Sequence, residues 1–547
     1  MAATSLAQLV TRLGRELETS PRARLRVGGL RGSAPALCLA RLLEDRLRPV
    51  VVTLAVAAEA EAFAADLRFF LGDGGLAGPL GRRVHYLPAW EVPPFEAISP
   101  TRDAVAARAE GFYHLLQTPA PVIVTTAEAW LQRGLPRAAF AEAVTYVVTG
   151  ESLELETLTA RLVEWGYHRV PLVQDPGDVA LRGGILDVYP AGYGRPVRIE
   201  FLGDSLESLR EFDPSSQRSL DRLEDVLLLP MREFGLSRLQ PAARAVDTRA
   251  AELGLARQER RDLVEAARAG FVLPGTEQLL PYLYEEPGSL VDFLPEETLL
   301  WMQGPAEVEA AVEAVWAQVE EHAAAAARDG RFHPPPERLY VRPSAWRATL
   351  GDRPCIEAEG LDLLSDDSLR ATSYSTESLA LRTAPAAEGA LTPVAARLTG
   401  WQREGARLVL VATSAAQRDR LQGLLAGHGI ALTPSGARFP QALAAAGRSA
   451  LALVGELTRG AWLPADGLAL LTEAELFGER RQVRRGLPTR PADWLTTLAE
   501  LKPNDYVVHA DHGIGLYRGL RHMQVRQPVE RRRRAVVVHA DVVEDAQ

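Results

Sequence analysis

The 547-residue chain has almost no lysine: Lys502 stands alone, and the other 60 of its 61 basic residues are arginine. This bias reads as the imprint of a GC-rich genome, yet it has a chemical consequence, because any lysine-dependent mechanism must use Lys502 or not exist. Cysteine is nearly as scarce. Cys38 and Cys355 stand far apart and belong to no Cys/His cluster, which argues against a disulfide framework and a zinc site. No apolar run approaches the roughly 20 residues that a membrane-crossing helix needs, and Met1 to Glu16 holds no signal-peptide core. The chain is therefore expected to be cytoplasmic, without a membrane partner. A net charge of −10 argues against tight binding of nucleic acid by the chain as a whole, since such binding draws on basic patches that neutralise phosphate. No Ser-His-Asp or Cys-His order stands out, and Glu285, Glu286, Asp292 and Glu296 flank proline turns as solvated groups, so no catalytic residue is assigned.

Charged residues at 24% and hydrophobic ones at 47% are those of a globular protein, and the length calls for three to five domains. Strand-like runs at Arg24 to Val27, Pro49 to Ala55, Val84 to Leu87 and Val122 to Thr126 alternate with helical segments at Leu37 to Leu47, Glu59 to Leu71 and Arg102 to Leu116. That alternation predicts a parallel α/β sheet. Between the first strand and its helix runs Gly29-Leu30-Arg31-Gly32-Ser33-Ala34-Pro35-Ala36, the topology of a phosphate-binding loop. A working loop ends in glycine, lysine and Ser or Thr, for backbone approach, phosphate contact and magnesium. Those three places hold Ala34, Pro35 and Ala36, and proline also removes a backbone N–H. From these residues alone the segment is either a degenerate nucleotide site, with weak anion affinity at most, or an ordinary Gly-rich turn. Trp90 and Phe95 lie among prolines without nearby basic residues, which favours core packing over stacking on bases.

The block from Arg182 to Ser219 points to protein recognition. Val197, Ile199 and Phe201 alternate with Arg198, Glu200 and Leu202, so a strand here buries the first set and shows the second, including a leucine beside an arginine. The loop Pro190 to Pro196 turns the chain between two strands and brings Arg182 toward that face. Further on, Glu307 to Arg328 reads as a long helix, Phe332 to Pro336 as a stiff linker, and Arg407 to Ala412, Ala450 to Val454 and Gly467 to Leu471 as strands of a small α/β domain. Leu501 to Gly519 reads as two short strands around a glycine turn, the start of a small barrel. His509 and His512 lack further ligands at metal-site spacing, so no metal is assigned.

The 182–219 block, with Gln217-Arg218-Ser219 at its end, and the 501–519 block both resemble the transcription-repair coupling factor (Mfd) family. The resemblance implies a multidomain α/β protein: a degenerate P-loop, helicase-like (UvrB-like) module over 1–142 and 231–345, with a UvrA-docking domain at 143–230 between its halves. It also implies a small α/β domain of unclear role at 350–475, a linker at 476–496, and part of a CarD-like RNA polymerase interaction domain at 497–547. Under it, Gly29, Gly32, Ala34, Pro35 and Ala36 are a degenerate P-loop, and Arg182, Arg198 and Leu202 are the UvrA-binding positions, with Leu202 where the family usually has Phe. Tyr506, Val508, His512, Ile514 and Tyr517 mark the polymerase-binding region. The implied function is transcription-coupled nucleotide excision repair, as a non-catalytic adaptor between UvrA and the RNA polymerase β subunit. ATP, magnesium and double-stranded DNA belong to motor domains of the full-length family that are absent from this chain. The alternative is a UvrB-like or helicase-like DNA-repair ATPase with a cryptic nucleotide site.

Overall fold

The computed structural model describes residues 4–477, apart from residues 21, 45, 74–82, 352, 361–368, 377–391 and 446–449, together with the strands 506–509 and 513–516. In chain order the first strands are β1 (Arg24–Gly28), β2 (Val50–Leu54), β3 (Val84–Leu87) and β4 (Val122–Thr126). The chain then makes a long excursion through β5 (Thr145–Val148), β6 (His168–Arg169), β7 (Asp178–Arg182), β8 (Ile185–Val188), β9 (Val197–Leu202), β10 (Ser205–Phe212), β11 (Ser219–Leu223) and β12 (Asp225–Leu228). It comes back as β13 (Leu299–Gln303), β14 (Cys355–Glu359) and β15 (Leu369–Arg370). A third group follows: β16 (Tyr374–Ser375), β17 (Arg407–Ala412), β18 (Thr433–Pro434), β19 (Leu451–Val454), β20 (Ala461–Leu463) and β21 (Leu468–Thr472).

The first sheet has seven strands in the order β15-β1-β14-β13-β2-β4-β3, every pair parallel. Helices cover both faces, so its central strands are buried: all five residues of β2 are buried, as are all five of β4. Two observations shift the expected boundaries. β14 and β15 lie beyond residue 350, where the small α/β domain was expected to begin, yet they flank β1 in the first sheet. Likewise the segment Phe332 to Pro336 is no linker. His333 is buried, its carbonyl accepts from Arg249 Nε at 3.1 Å, and Leu339 and Tyr340 just beyond it lie in the core. A polyproline stretch stiffens a spacer only where nothing packs on it; here a wall of the helical layer does.

The excursion is closed at its neck. β5 and β12 pair antiparallel, Thr145 opposite Leu228 and Val148 opposite Asp225, so the way in and the way out form one ribbon. Beyond the neck lies a six-stranded sheet in the order β11-β10-β9-β8-β7-β6. Its inner residues Val179, Leu186, Val197, Ile199 and Leu209 join a core that continues into Phe112, Phe140 and Leu300 under the first sheet. Trp90 and Phe95 are buried too, against the helix Leu239–Glu252 and Tyr340, in keeping with core packing.

The third sheet, β16-β20-β21-β17-β19-β18, is parallel through β21-β17-β19-β18 and antiparallel at β16 and β20. It shares a core with the other face of the first sheet, where Val409, Leu453 and Leu470 meet Phe63, Leu67 and Phe70. Polar contacts fix this junction. Asp466 accepts from the backbone N of Leu6 at 2.7 Å, placing a carboxylate at the start of the helix Leu6–Thr19. Asp66, in the helix Ala57–Leu71, accepts from Thr458 N at 2.6 Å and Thr458 Oγ1 at 2.9 Å. Residues 481–547 form a separate unit, of which β22 (Tyr506–His509) and β23 (Gly513–Leu516) pair as an antiparallel hairpin, as expected. The linker assigned to 476–496 lies outside the described residues beyond 477.

Burial raises the Asp66 carboxyl to about 7, against the lowering effect of its bonds to Thr458. The folded state then holds a proton that the unfolded chain has released, between roughly pH 4 and pH 7. The stabilisation is complete below the unfolded value and lost as pH rises through the folded one. Thermal melts of the parent should therefore fall from about pH 5 to about pH 8, and Asp66→Asn should flatten that slope; an unchanged slope in the variant would refute the assignment.

Candidate partner-docking site

The outer face of the six-stranded sheet follows from its register, because residues paired across antiparallel strands share a face. Arg182 pairs with Ile185, and Ile185 with Glu200, so these three form one row. Ala180, Asp187, Arg198 and Arg210 form the next. Leu202, two residues on from Glu200, extends the face at the end of β9 and is 71% exposed. The three positions singled out in the sequence are thus brought to one side of one sheet. Arg182 and Glu200 sit two strands apart, roughly 10 Å.

The two arginines do different things. Arg182 is exposed, donating from Nη2 to the carbonyl of Pro171 at 2.5 Å. The expectation that Arg198 is shown to solvent fails, since its side chain is only 16% exposed. Its Nε and Nη2 donate to the two carboxylate oxygens of Asp187 at 2.7 and 2.9 Å, and its guanidinium lies 4.8 Å from the centre of the Phe212 ring. Nη1 donates to Gln217 O at 3.4 Å and to Ser219 Oγ at 3.3 Å. The hydrogen bonds to Asp187 raise the guanidinium pKa further, so it stays charged. The Gln217-Arg218-Ser219 motif is explained in part: two of its three residues help hold Arg198. Gln217 itself has φ +59°, and its N donates to Asp213 O at 2.7 Å, which closes the turn that carries it to Arg198. Phe212, Ala180 and Val173 form a small cluster that covers this end of the face and leaves the Arg182, Ile185 and Leu202 end open.

The loop after β1 has a closed mouth. Gly29 and Gly32 both have positive φ, +82° and +62°, and the helix Ala34–Leu43 begins directly after Ser33. A phosphate loop offers its backbone N–H groups to the ligand. Here the N–H of Arg31 donates to Ser373 Oγ at 2.7 Å, while the N–H groups of Ala371 and Ser373 donate to Gly28 O and Gly29 O. A Cβ on Gly29 would lie 2.2 Å from Ala371 O, and one on Gly32 would lie 2.1 Å from Gly460 O. Ala34, Pro35 and Ala36 are all buried. The glycines are therefore needed for close approach of protein backbone. No local signal in the sequence links residue 31 to residue 373.

Of the polymerase-region positions, Tyr506, Val508 and Ile514 fall on the β22–β23 hairpin, whereas His512 and Tyr517 lie outside the described residues. Sequence reasoning passed over Asp187 and Ile185 as parts of the docking face. The signal was available, because Asp187 and Arg198 flank the expected turn at nearly equal distances.

Because Asp187 is 2% exposed, Arg198→Ala leaves a buried carboxylate without its partner, and should cost roughly 1–3 kcal/mol of stability. Arg182→Ala should change stability by less than about 0.5 kcal/mol. Urea titrations of the two variants check this, and equal losses would contradict the division of roles.

Comparison with known proteins agrees with this layout. Residues 146–234 match the family model described as UvrB interaction domain, residues 402–476 the MFD, D3 domain, and residues 501–541 the CarD-like/TRCF RID domain. The chain is 36% identical to the transcription-repair-coupling factor of Myxococcus xanthus over 522 residues, covering 92% of the chain and 43% of that protein. It is 27% identical to the factor of the same name from Escherichia coli, covering 90% and 42%, and 25% identical to that of Bacillus subtilis, covering 91% and 42%. The chain thus spans less than half the length of these curated relatives. With three family models matched in series and relatives of one name aligned along nine-tenths of its length, the chain belongs, over the part it spans, with the transcription-repair-coupling factors.

Proposed function

We propose that the chain is a recognition scaffold for transcription-coupled excision repair, whose docking sheet binds UvrA and whose C-terminal hairpin region binds RNA polymerase through the β subunit. The observation that carries the UvrA assignment is the open end of the sheet face, where a cation, Arg182, and an apolar group, Leu202, stand exposed on rigid strands beside a supported Arg198. Such a pairing suits a partner surface with a carboxylate and an apolar pocket. The polymerase assignment rests on the match of residues 501–541. Binding of double-stranded DNA, and the ATP and magnesium that would drive movement along it, are ascribed to other parts of the relatives.

The alternative, an ATPase with a cryptic site on the first sheet, is disfavoured by chemistry. Pro35 stands where lysine would reach the phosphates, Ala36 where a hydroxyl would hold magnesium, and Ser373 takes the N–H of Arg31. The chain is expected to show no magnesium-dependent ATP hydrolysis; turnover above background that is lost on altering Gly32 would overturn this.

For UvrA, the useful changes are those that spare the fold. Arg182→Ala combined with Leu202→Glu should weaken capture by roughly 30-fold, about 2 kcal/mol, with an unchanged melt. Leu202→Phe should strengthen it. Ile514→Asp, in contrast, should reduce capture of RNA polymerase and leave UvrA capture intact. Unchanged UvrA binding in the double variant, measured by surface plasmon resonance, would reject this face.

A further inference from the structure

A cluster remote in function from the docking face lies at the edge of the first sheet. Among the described residues β3 is the terminal strand of that sheet, paired with β4. The helix Arg102–Gln117 lies close upon it, because Gly111 lets Leu87 approach: a Cβ on that glycine would be 3.0 Å from Leu87 Cδ1. One helical turn apart on this helix, Glu110 and His114 share a face. His85, from β3, completes the group.

His85 Nδ1 is 3.1 Å from Glu110 Oε1, and the imidazoles of His85 and His114 stack with centroids 3.7 Å apart and planes 13° from parallel. One ligand atom from each of the three residues lies within 4.8 Å of the others. Both imidazoles are nearly inaccessible, at 3% and 1% exposure, while the Glu110 side chain reaches the rim at 19%. Thr118 Oγ1 lies 2.7 Å from His114 Nδ1, which orients the ring.

We propose that His85, Glu110 and His114 form a binding site for a divalent transition metal of the zinc class. Two borderline imidazole nitrogens beside one hard carboxylate suit zinc or cobalt and not magnesium or calcium, which take oxygen ligands throughout. Zinc–nitrogen bonds near 2.0–2.1 Å in a tetrahedron place ligand atoms roughly 3.3 Å apart with both ring planes converging on the ion, so binding requires the two imidazoles to turn out of their stacked arrangement. Three protein ligands leave a fourth position for water on the Glu110 side. Bound metal would staple the edge strand to its covering helix.

The test uses the full, untagged chain stripped of metal. Titration with Co²⁺ should give one equivalent of a complex with the strong visible bands of tetrahedral coordination, displaced by Zn²⁺, and Zn²⁺ should raise the melting temperature. Glu110→Gln, at the rim, should keep the metal-free melt of the parent and bind Zn²⁺ at least about tenfold more weakly, with loss of the cobalt bands. His114→Gln serves as a second ligand variant. Absence of tetrahedral bands in the parent, or a loss of affinity below tenfold in Glu110→Gln, would overturn the site and leave a stacked histidine pair hydrogen-bonded to a carboxylate.

Discussion

A buried ion pair holds the two larger parts of the molecule in register. Arg108, 1% exposed in the helix Arg102–Gln117, donates from Nε to Glu233 Oε1 and from Nη2 to Glu233 Oε2 at 3.3 Å. Glu233 follows directly on the docking domain's exit strand and its tail, whereas Arg108 belongs to the first sheet's own covering helix. Two charges taken out of water are costly unless every polar atom is met. They are met here: Trp90 Nε1 donates to Glu233 at 3.0 Å, Arg108 Nη1 donates to Pro88 O at 3.0 Å, and the guanidinium lies 5.6 Å from the Trp90 ring. Gly134 is required as well, since a Cβ there would lie 2.3 Å from Glu233 Oε2. Geometry of this kind tolerates little displacement, so the proline-bearing loop, the helix and the docking domain's exit are fixed relative to one another.

That rigidity matters for recognition. An inserted domain on a two-strand neck would swing unless something beyond the neck held it. The neck itself is reinforced by Tyr167, whose hydroxyl donates to Leu229 O at 3.0 Å, and by the bond from Met231 N to Trp165 O at 2.8 Å. Arg102 adds a bond from the first helix layer to Asp178 at 3.1 Å. A face presented on such a support loses little conformational freedom when a partner docks. The same economy explains the pair of arginines: Arg198 is spent on Asp187 and on the turn at Gln217, which sets the sheet surface, while Arg182 remains outward.

The loop after β1 is used structurally. The concavity made by its positive-φ glycines and the helix start receives the 371–375 segment and the carbonyl of Gly460, and Ser373 takes the N–H of Arg31. These contacts join the first sheet to the third.

Much of this was determined by local sequence. Continuous apolar runs such as Val50 to Leu54 required buried parallel strands, the two-residue alternation at Val197 to Leu202 required a half-exposed one, and the substitutions at Ala34, Pro35 and Ala36 deny the loop the groups that bind phosphate. The resemblance carried by two short blocks pointed to Arg182, Arg198 and Leu202, which the register places on one side of one sheet. Other features depend on residues far apart in the chain, and no period or propensity encodes such distances. β14 crosses back to lie between β1 and β13, Ser373 closes the loop at Arg31, Glu233 finds Arg108, and His85 meets His114. Whether Arg198 faces solvent or a carboxylate was equally invisible, because alternation fixes which side of a strand a residue takes and only the packed neighbours fix what covers it.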